Sequence, residues 1–233
     1  MDWVSNLLLA CALKKEAKAL TKELKTDYPV LVTGLGTDRT LKTLEEAFDK
    51  RKPSLLLFSG MAGQLSPEIN LGEFVFPAVW RFESGTEFRV MDALRDSLSE
   101  QGWQIGGAGI TVRKPVVRGV QRRRLHGETG ALICDMECAA AMMIAETYGI
   151  PCLAPKVVSD TAESGMLAFY RHFGKDIETL GNRLQALIPC LEELSTAGEA
   201  AFGTGLVLQA LTQEVPRLAV ESDEPGAQAL RST

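Results

Sequence analysis

Histidine is nearly absent from this chain. His126 and His172 are the only two among 233 residues, and the Cys134 and Cys138 pair has no second cysteine pair to join it. A tetrahedral zinc site therefore lacks ligands, and no metal or cofactor is expected. Long apolar runs are also missing: no stretch approaches the ~20 residues needed to span a bilayer. Leu7-Leu8-Leu9-Ala10-Cys11 superficially matches a lipoprotein cleavage site, but Asp2 stands where a basic leader residue belongs and the run is short. It reads as the first buried strand. There is no excess of positive charge; the formal net charge is −5, which argues against nucleic acid or an anionic membrane as principal partner. The five cysteines are an odd number. Cys11, Cys134, Cys138 and Cys152 sit in apolar contexts, as expected of reduced core thiols in a cytoplasmic protein. Neither internal repeats nor low-complexity tracts occur.

What is present is an ordinary globular composition, 45% hydrophobic and 24% charged. It fits one domain over residues 1–220, with a polar tail at 221–233. Strands are expected at 3–13, 30–32, 54–59, 74–79, 105–112, 130–134 and 151–158. Helices are expected at 14–25, 37–50 (capped by Thr37), 92–101, 120–128, 138–148, 166–194 and 198–212. The run at 54–59 is wholly apolar, as in strands buried on both faces. Alternating strands and helices of this kind predict a three-layer α/β/α domain around a central, mostly parallel mixed sheet.

Chemistry concentrates where strands give way to helices. Asp135-Met136-Glu137 and Ser159-Asp160 bracket the helix 138–148, and each follows an apolar run. A strand–helix–strand unit of this size predicts a crossover between parallel strands, with both carboxylates on one edge of the sheet. Glu16 follows the first strand; alone it reads first as a solvated first-turn glutamate, and only together with the other two carboxylates as part of a site. Gly34-Leu35-Gly36 and Gly60-Met61-Ala62-Gly63 read as tight turns or as places where backbone N–H groups approach a ligand. A dinucleotide fingerprint is excluded, because Arg39 occupies the place of its third glycine. Arg122-Arg123-Arg124 reads as a solvated helix face, the alternative being an entrance edge that attracts anions.

In this order, several motifs resemble the purine nucleoside phosphorylase and nucleosidase superfamily. They are Cys11-Ala12-Leu13-Lys14-Lys15-Glu16, Thr33-Gly34-Leu35-Gly36, Ser59-Gly60-Met61-Ala62-Gly63-Gln64-Leu65, Leu71-Gly72-Glu73, Asp135-Met136-Glu137 and Val157-Val158-Ser159-Asp160. Thr129-Gly130-Ala131 leading into the first acidic motif looks closest to the hopanoid-associated branch, which releases adenine from adenosylhopane. Methylthioadenosine/S-adenosylhomocysteine nucleosidases are the next resemblance.

The resemblance implies a nucleoside phosphorylase-like fold and a purine, most simply adenine, released by cleavage of the N-glycosidic bond. It implies Asp160 as the group that hydrogen-bonds to or protonates purine N7, its acidity weakened by burial between apolar strands. It gives Glu16 the activation of water and Glu137 the ribose hydroxyls, with Met136 under the sugar. Ser159 would orient Asp160, and Met61, Ala62 and Gly63 would line the base and ribose region. Val116 and Val117 stand where methylthioadenosine enzymes place an aromatic, and Lys156 where many relatives have Arg. Phosphorylases of this family carry an Arg and a Ser where this chain has Phe58 and Met61, so hydrolysis is expected. The alternatives are a phosphorylase recruiting phosphate through Arg39, Arg113 or Arg118, and a nucleoside-binding protein without turnover. A homodimer is implied by resemblance alone.

Overall fold

The computed structural model describes residues 6–24, 30–162 and 165–201. In chain order the elements are β1 (Leu7–Cys11), α1 (Lys14–Leu24), β2 (Val30–Val32), α2 (Thr37–Lys50), β3 (Leu55–Phe58), β4 (Gly60–Gln64), β5 (Phe74–Val75), β6 (Val79–Phe82), β7 (Glu87–Arg89), α3 (Asp92–Glu100), β8 (Ala108–Thr111), α4 (Gly119–Thr129), β9 (Ile133–Asp135), α5 (Cys138–Thr147), β10 (Cys152–Leu153), β11 (Lys156–Asp160) and α6 (Gly165–Ala201). The expected tail at 221–233 and most of the expected helix 198–212 lie outside the described residues. α6 continues through Ala201, past the break expected after residue 194.

Two ladders share the chain. One is all parallel, in the order β10-β3-β1-β2; the other is mixed, in the order β5-β11-β4-β9-β8-β6-β7. Among the described residues, six of the nine strand pairings run parallel. The ladders are joined where β3 passes into β4 at Ser59 and β10 passes into β11 through Ala154 and Pro155. The Ser59 hydroxyl donates to the Pro155 carbonyl at 2.9 Å, and Trp80 Nε1 donates to the Ala154 carbonyl at 3.3 Å. These bonds satisfy backbone groups freed where the strands bend, and the result is one curled sheet.

Local patterning accounts for most elements. Every residue of β3 is buried, as its unbroken Leu-Leu-Leu-Phe run requires. α1 buries Glu16, Ala17, Leu20 and Leu24, and α2 buries Thr40, Leu44 and Phe48, the three-and-four spacing of one helical face. α5 is apolar nearly all round and buried nearly all round.

Four expectations are corrected. Residues 74–79 are not one strand: Pro77, which has no N–H for a ladder, separates β5 from β6. β6 then folds back on β7, a hairpin that the sequence did not announce. Gly60 to Gly63 form the extended strand β4 rather than a turn, because their backbones pair with β11 and β9. Thr37 does not cap α2; Gly36 holds that position at φ 91°, and the Thr37 hydroxyl donates instead to the Met136 carbonyl at 3.4 Å. Most consequentially, β9 is antiparallel to β4 whereas β11 is parallel to it. The two acidic motifs therefore do not end parallel neighbours. They meet because the register sets Cys134 opposite Gly63 and Gly63 opposite Asp160, in one row across the sheet.

Candidate active site

That row opens onto a cavity of about 320 Å³. Its wall contains Glu16, Met61, Ala62, Gly63, Val116, Val117, Met136, Glu137, Ser159 and Asp160, the ten positions singled out in the sequence. It also contains Asp135, Lys156 and Arg122.

Glu16 enters from the first turn of α1. It is buried, not solvated; Oε2 accepts from the Leu13 N–H at 2.9 Å and Oε1 from the Met61 N–H at 3.2 Å. Burial raises its pKa above the ordinary carboxylate value, and Lys156 and the two N–H groups oppose that shift. Gly60 makes the approach possible: a Cβ there would lie 3.0 Å from Glu16 Oε1 and 3.4 Å from Lys156 Nζ.

Asp135 and Glu137 divide the work at the start of α5. Glu137 holds the N-cap position, but Asp135 satisfies the helix start: its carboxylate accepts from the Cys138 N–H at 3.0 Å, the Glu137 N–H at 3.2 Å and the Thr111 hydroxyl at 2.7 Å. Glu137 is thereby released from capping and turns to the opposite junction, where Oε1 accepts from the Gly36 N–H at 2.7 Å. Burial, then the charge of Asp135, pushes Glu137 up to about 7. Thus Gly36 brings a backbone donor to a side chain in the cavity wall.

Lys156 is the cation at the centre. It is fully buried, 3.3 Å from Asp135 Oδ2, with its ammonium 4.9 Å above the Phe58 ring. Burial disfavours its charge, but the Cys138 sulfur and the carboxyls of Asp135, Glu16 and Glu137 more than offset this and hold its pKa above the usual lysine value. Three acidic side chains thus surround one ammonium.

Asp160 departs from expectation. Rather than standing alone between apolar strands, it pairs with Arg122: Nη2 donates to Oδ2, while the Ser159 hydroxyl donates to Oδ1 at 2.9 Å. Both carboxyl oxygens act as acceptors. Arg122 itself corrects the reading of the triple-arginine run. Arg124 is exposed and bonds Glu128 one turn on, but Arg122 is only 4% exposed. Sequence reasoning missed it because α4 has no apolar stripe to mark an inward face; Arg122 is its one buried residue. Arg39, Arg113 and Arg118 are exposed and absent from the wall.

Cys134 also lines the cavity, and burial pushes its thiol up to about 12, which leaves it neutral and unreactive. Among the described residues, no group of three His, Cys, Asp or Glu is placed to hold a metal ion, and no helix is long and apolar enough to cross a membrane.

Comparisons with known proteins agree with this architecture. A family model described as the Phosphorylase superfamily matches residues 12–190. Comparison with curated proteins yields no match. Among solved structures, the fold is similar to a 5′-methylthioadenosine/S-adenosylhomocysteine nucleosidase from Helicobacter pylori (17% identity, 78% of this chain and 97% of that one, TM-score 0.70). It is similar to futalosine hydrolase of Helicobacter pylori (16% identity, 78% and 97%, TM-score 0.69). A methylthioadenosine/S-adenosylhomocysteine nucleosidase from S. pneumoniae, solved with a transition-state inhibitor, is similar as well (16% identity, 79% and 99%, TM-score 0.69).

Proposed function

Because the chain belongs to the phosphorylase superfamily, we propose that it is a nucleosidase that hydrolyses the N-glycosidic bond of a purine nucleoside, with adenine as the released base and either a bare hydroxyl or a substituent at the 5′ position. The observation that carries this reading is Glu16, a buried carboxylate in the cavity wall held by two backbone N–H groups. A carboxylate so placed can orient water and take its proton; it repels a phosphate dianion. The two cations of the wall are already paired with carboxylates, Lys156 with Asp135 and Arg122 with Asp160. Neither is a free anion site, which also favours water over phosphate.

The chemistry follows from the cavity's polarity. Water oxygen bonds to C1′ as the C1′–N9 bond breaks and its electron pair leaves with the base. Glu16 accepts one proton from the water and later returns it to solvent, and the departing base takes up one proton from solvent, so nucleoside plus water gives base plus the sugar. Glu137 accepts hydrogen bonds from the ribose hydroxyls, with Met136 against the sugar, and Asp160 hydrogen-bonds the base, held in place by Ser159. The positive charge developing on the ribose is stabilised by the surrounding carboxylates.

Chromatographic assay of base release from a panel of 5′-substituted adenosines, with and without phosphate, tests the reading. Release independent of phosphate, lowered by about 2–4 orders of magnitude in Glu16→Gln with binding retained, is expected. Phosphate-dependent formation of ribose 1-phosphate makes the protein a phosphorylase. Binding without release makes it a nucleoside-binding protein.

A further inference from the structure

Arg122 uses its guanidinium unevenly. An arginine offers five N–H donors in a fixed fork. Nε donates to the Val116 carbonyl at 2.7 Å, and Nη1 to the carbonyls of Gln64 at 3.2 Å and Asp160 at 3.1 Å. Nη2 gives one hydrogen to Asp160 Oδ2. Four donors are thus taken, and the second hydrogen on Nη2 has no partner among the described residues. The fork lines the cavity, and Gly63 clears space for it: a Cβ there would stand 3.1 Å from Nη1 and 3.2 Å from Nη2. Beside that remaining donor lies the Asp160 carboxylate. Each of its oxygens accepts one hydrogen bond from the described residues and has a second lone pair to offer.

One end of the cavity therefore presents a donor and an acceptor side by side. The edges of purines differ in this respect: a 6-aminopurine shows the N7 acceptor next to an amino donor, whereas a 6-oxopurine shows two acceptors. We infer that Arg122 is a base-contacting residue, donating from Nη2 to N7 while Asp160 accepts from the 6-amino group, and that the pair selects 6-aminopurines over 6-oxopurines. A 6-oxo group would face the Asp160 carboxylate with no proton between them. The guanidinium has a second consequence, since a cation at N7 stabilises the electron density that the base acquires as the glycosidic bond breaks, with no proton transfer from Asp160 required. The inference rests on the purine nucleosidase reading but fails separately from it.

Calorimetric titration of adenine, 7-deazaadenine and hypoxanthine into the native protein, Arg122→Lys and Arg122→Met decides the matter. Native protein should bind adenine about tenfold or more tightly than either of the other bases, the worth of one charged hydrogen bond. Arg122→Met should bring the adenine to 7-deazaadenine ratio close to one, with Arg122→Lys between. Equal affinity of native protein for adenine and 7-deazaadenine overturns the inference, whether or not the variants fold. So does native-like discrimination in Arg122→Met, or no binding of any base at millimolar concentration. N7-dependent binding that Arg122→Met abolishes, with no base released from any nucleoside, keeps the inference and removes the hydrolase. Hydrolysis indifferent to N7 does the reverse.

Discussion

The backbone N–H of Gly36 donates to Glu137 Oε1 at 2.7 Å, across 101 residues of chain. This bond fastens the turn before α2 to the start of α5 and gives a buried carboxylate one of its few polar partners.

Glu137 should make stability depend on pH. Burial and Asp135 raise it from 4.5 to about 7, so between those values the folded protein holds a proton that the unfolded chain has lost. Stability is then greatest below about 4.5 and declines as pH rises toward 7. Glu137→Gln keeps an oxygen for Gly36 and should flatten this slope, recovering up to about 3 kcal/mol at pH 8. Urea unfolding at pH 5 and pH 8 measures it; parallel pH dependence in both proteins contradicts the assignment.

Removing the central ammonium should cost far more. Lys156→Met leaves Asp135, Glu16 and Glu137 buried without their cation, a loss of about 3–5 kcal/mol at neutral pH. The deficit should shrink on acidification as Glu16 and Glu137 take up protons. A lowered urea midpoint with unchanged slope is the expected signature. A neutral-pH loss below about 1 kcal/mol would show that the ammonium is not what keeps these groups charged.

Gly60→Ala tests the placement of Glu16. The added methyl would press on Oε1 at 3.0 Å, and Glu16 is pinned by two N–H groups and has little room to yield. Turnover should fall roughly 10–100-fold, as small displacements of a catalytic group do, and the melting temperature should fall as well, because Gly60 holds φ 156°, where a side chain is strained. If Glu16 activates water as proposed, its raised pKa predicts that kcat declines as pH falls through a value above the ordinary carboxylate range, because water activation needs the ionised form.

Asp176 offers a test away from the chemistry. It is buried on α6, its Oδ2 has no hydrogen-bond partner among the described residues, and burial raises it from 3.8 to about 6, with His172 and Lys175 opposing. Its stabilising contribution is therefore present below about 4 and lost as pH passes through about 6. Asp176→Asn should raise the melting temperature at pH 7.5 and leave it unchanged at pH 4. A lower melting temperature at pH 7.5 would mean that the carboxylate is stabilising there.

The acidic motifs were legible because carboxylates at the ends of apolar runs are a local pattern, and so were the buried β3 and the inward faces of α1 and α2. The split at Pro77 could have been read from its missing N–H. Other features carried no such signal. Arg122 sits in a charged helix without an apolar stripe, and its partner Asp160 is 38 residues away. The reversal of β9 against β4 follows from pairing across the sheet, which alternation along one strand does not encode.

The sequence alone determined most of the helices, the apolar strands and the acidic residues at their ends, since each follows from propensity and hydrophobic spacing over a few neighbours. Only the tertiary structure decided that antiparallel register, not a shared parallel edge, gathers those acids, and that Lys156 and Arg122 are the cations they meet. Charge pairing in a buried site acts through space, where desolvation makes each ion depend on partners far away in the chain.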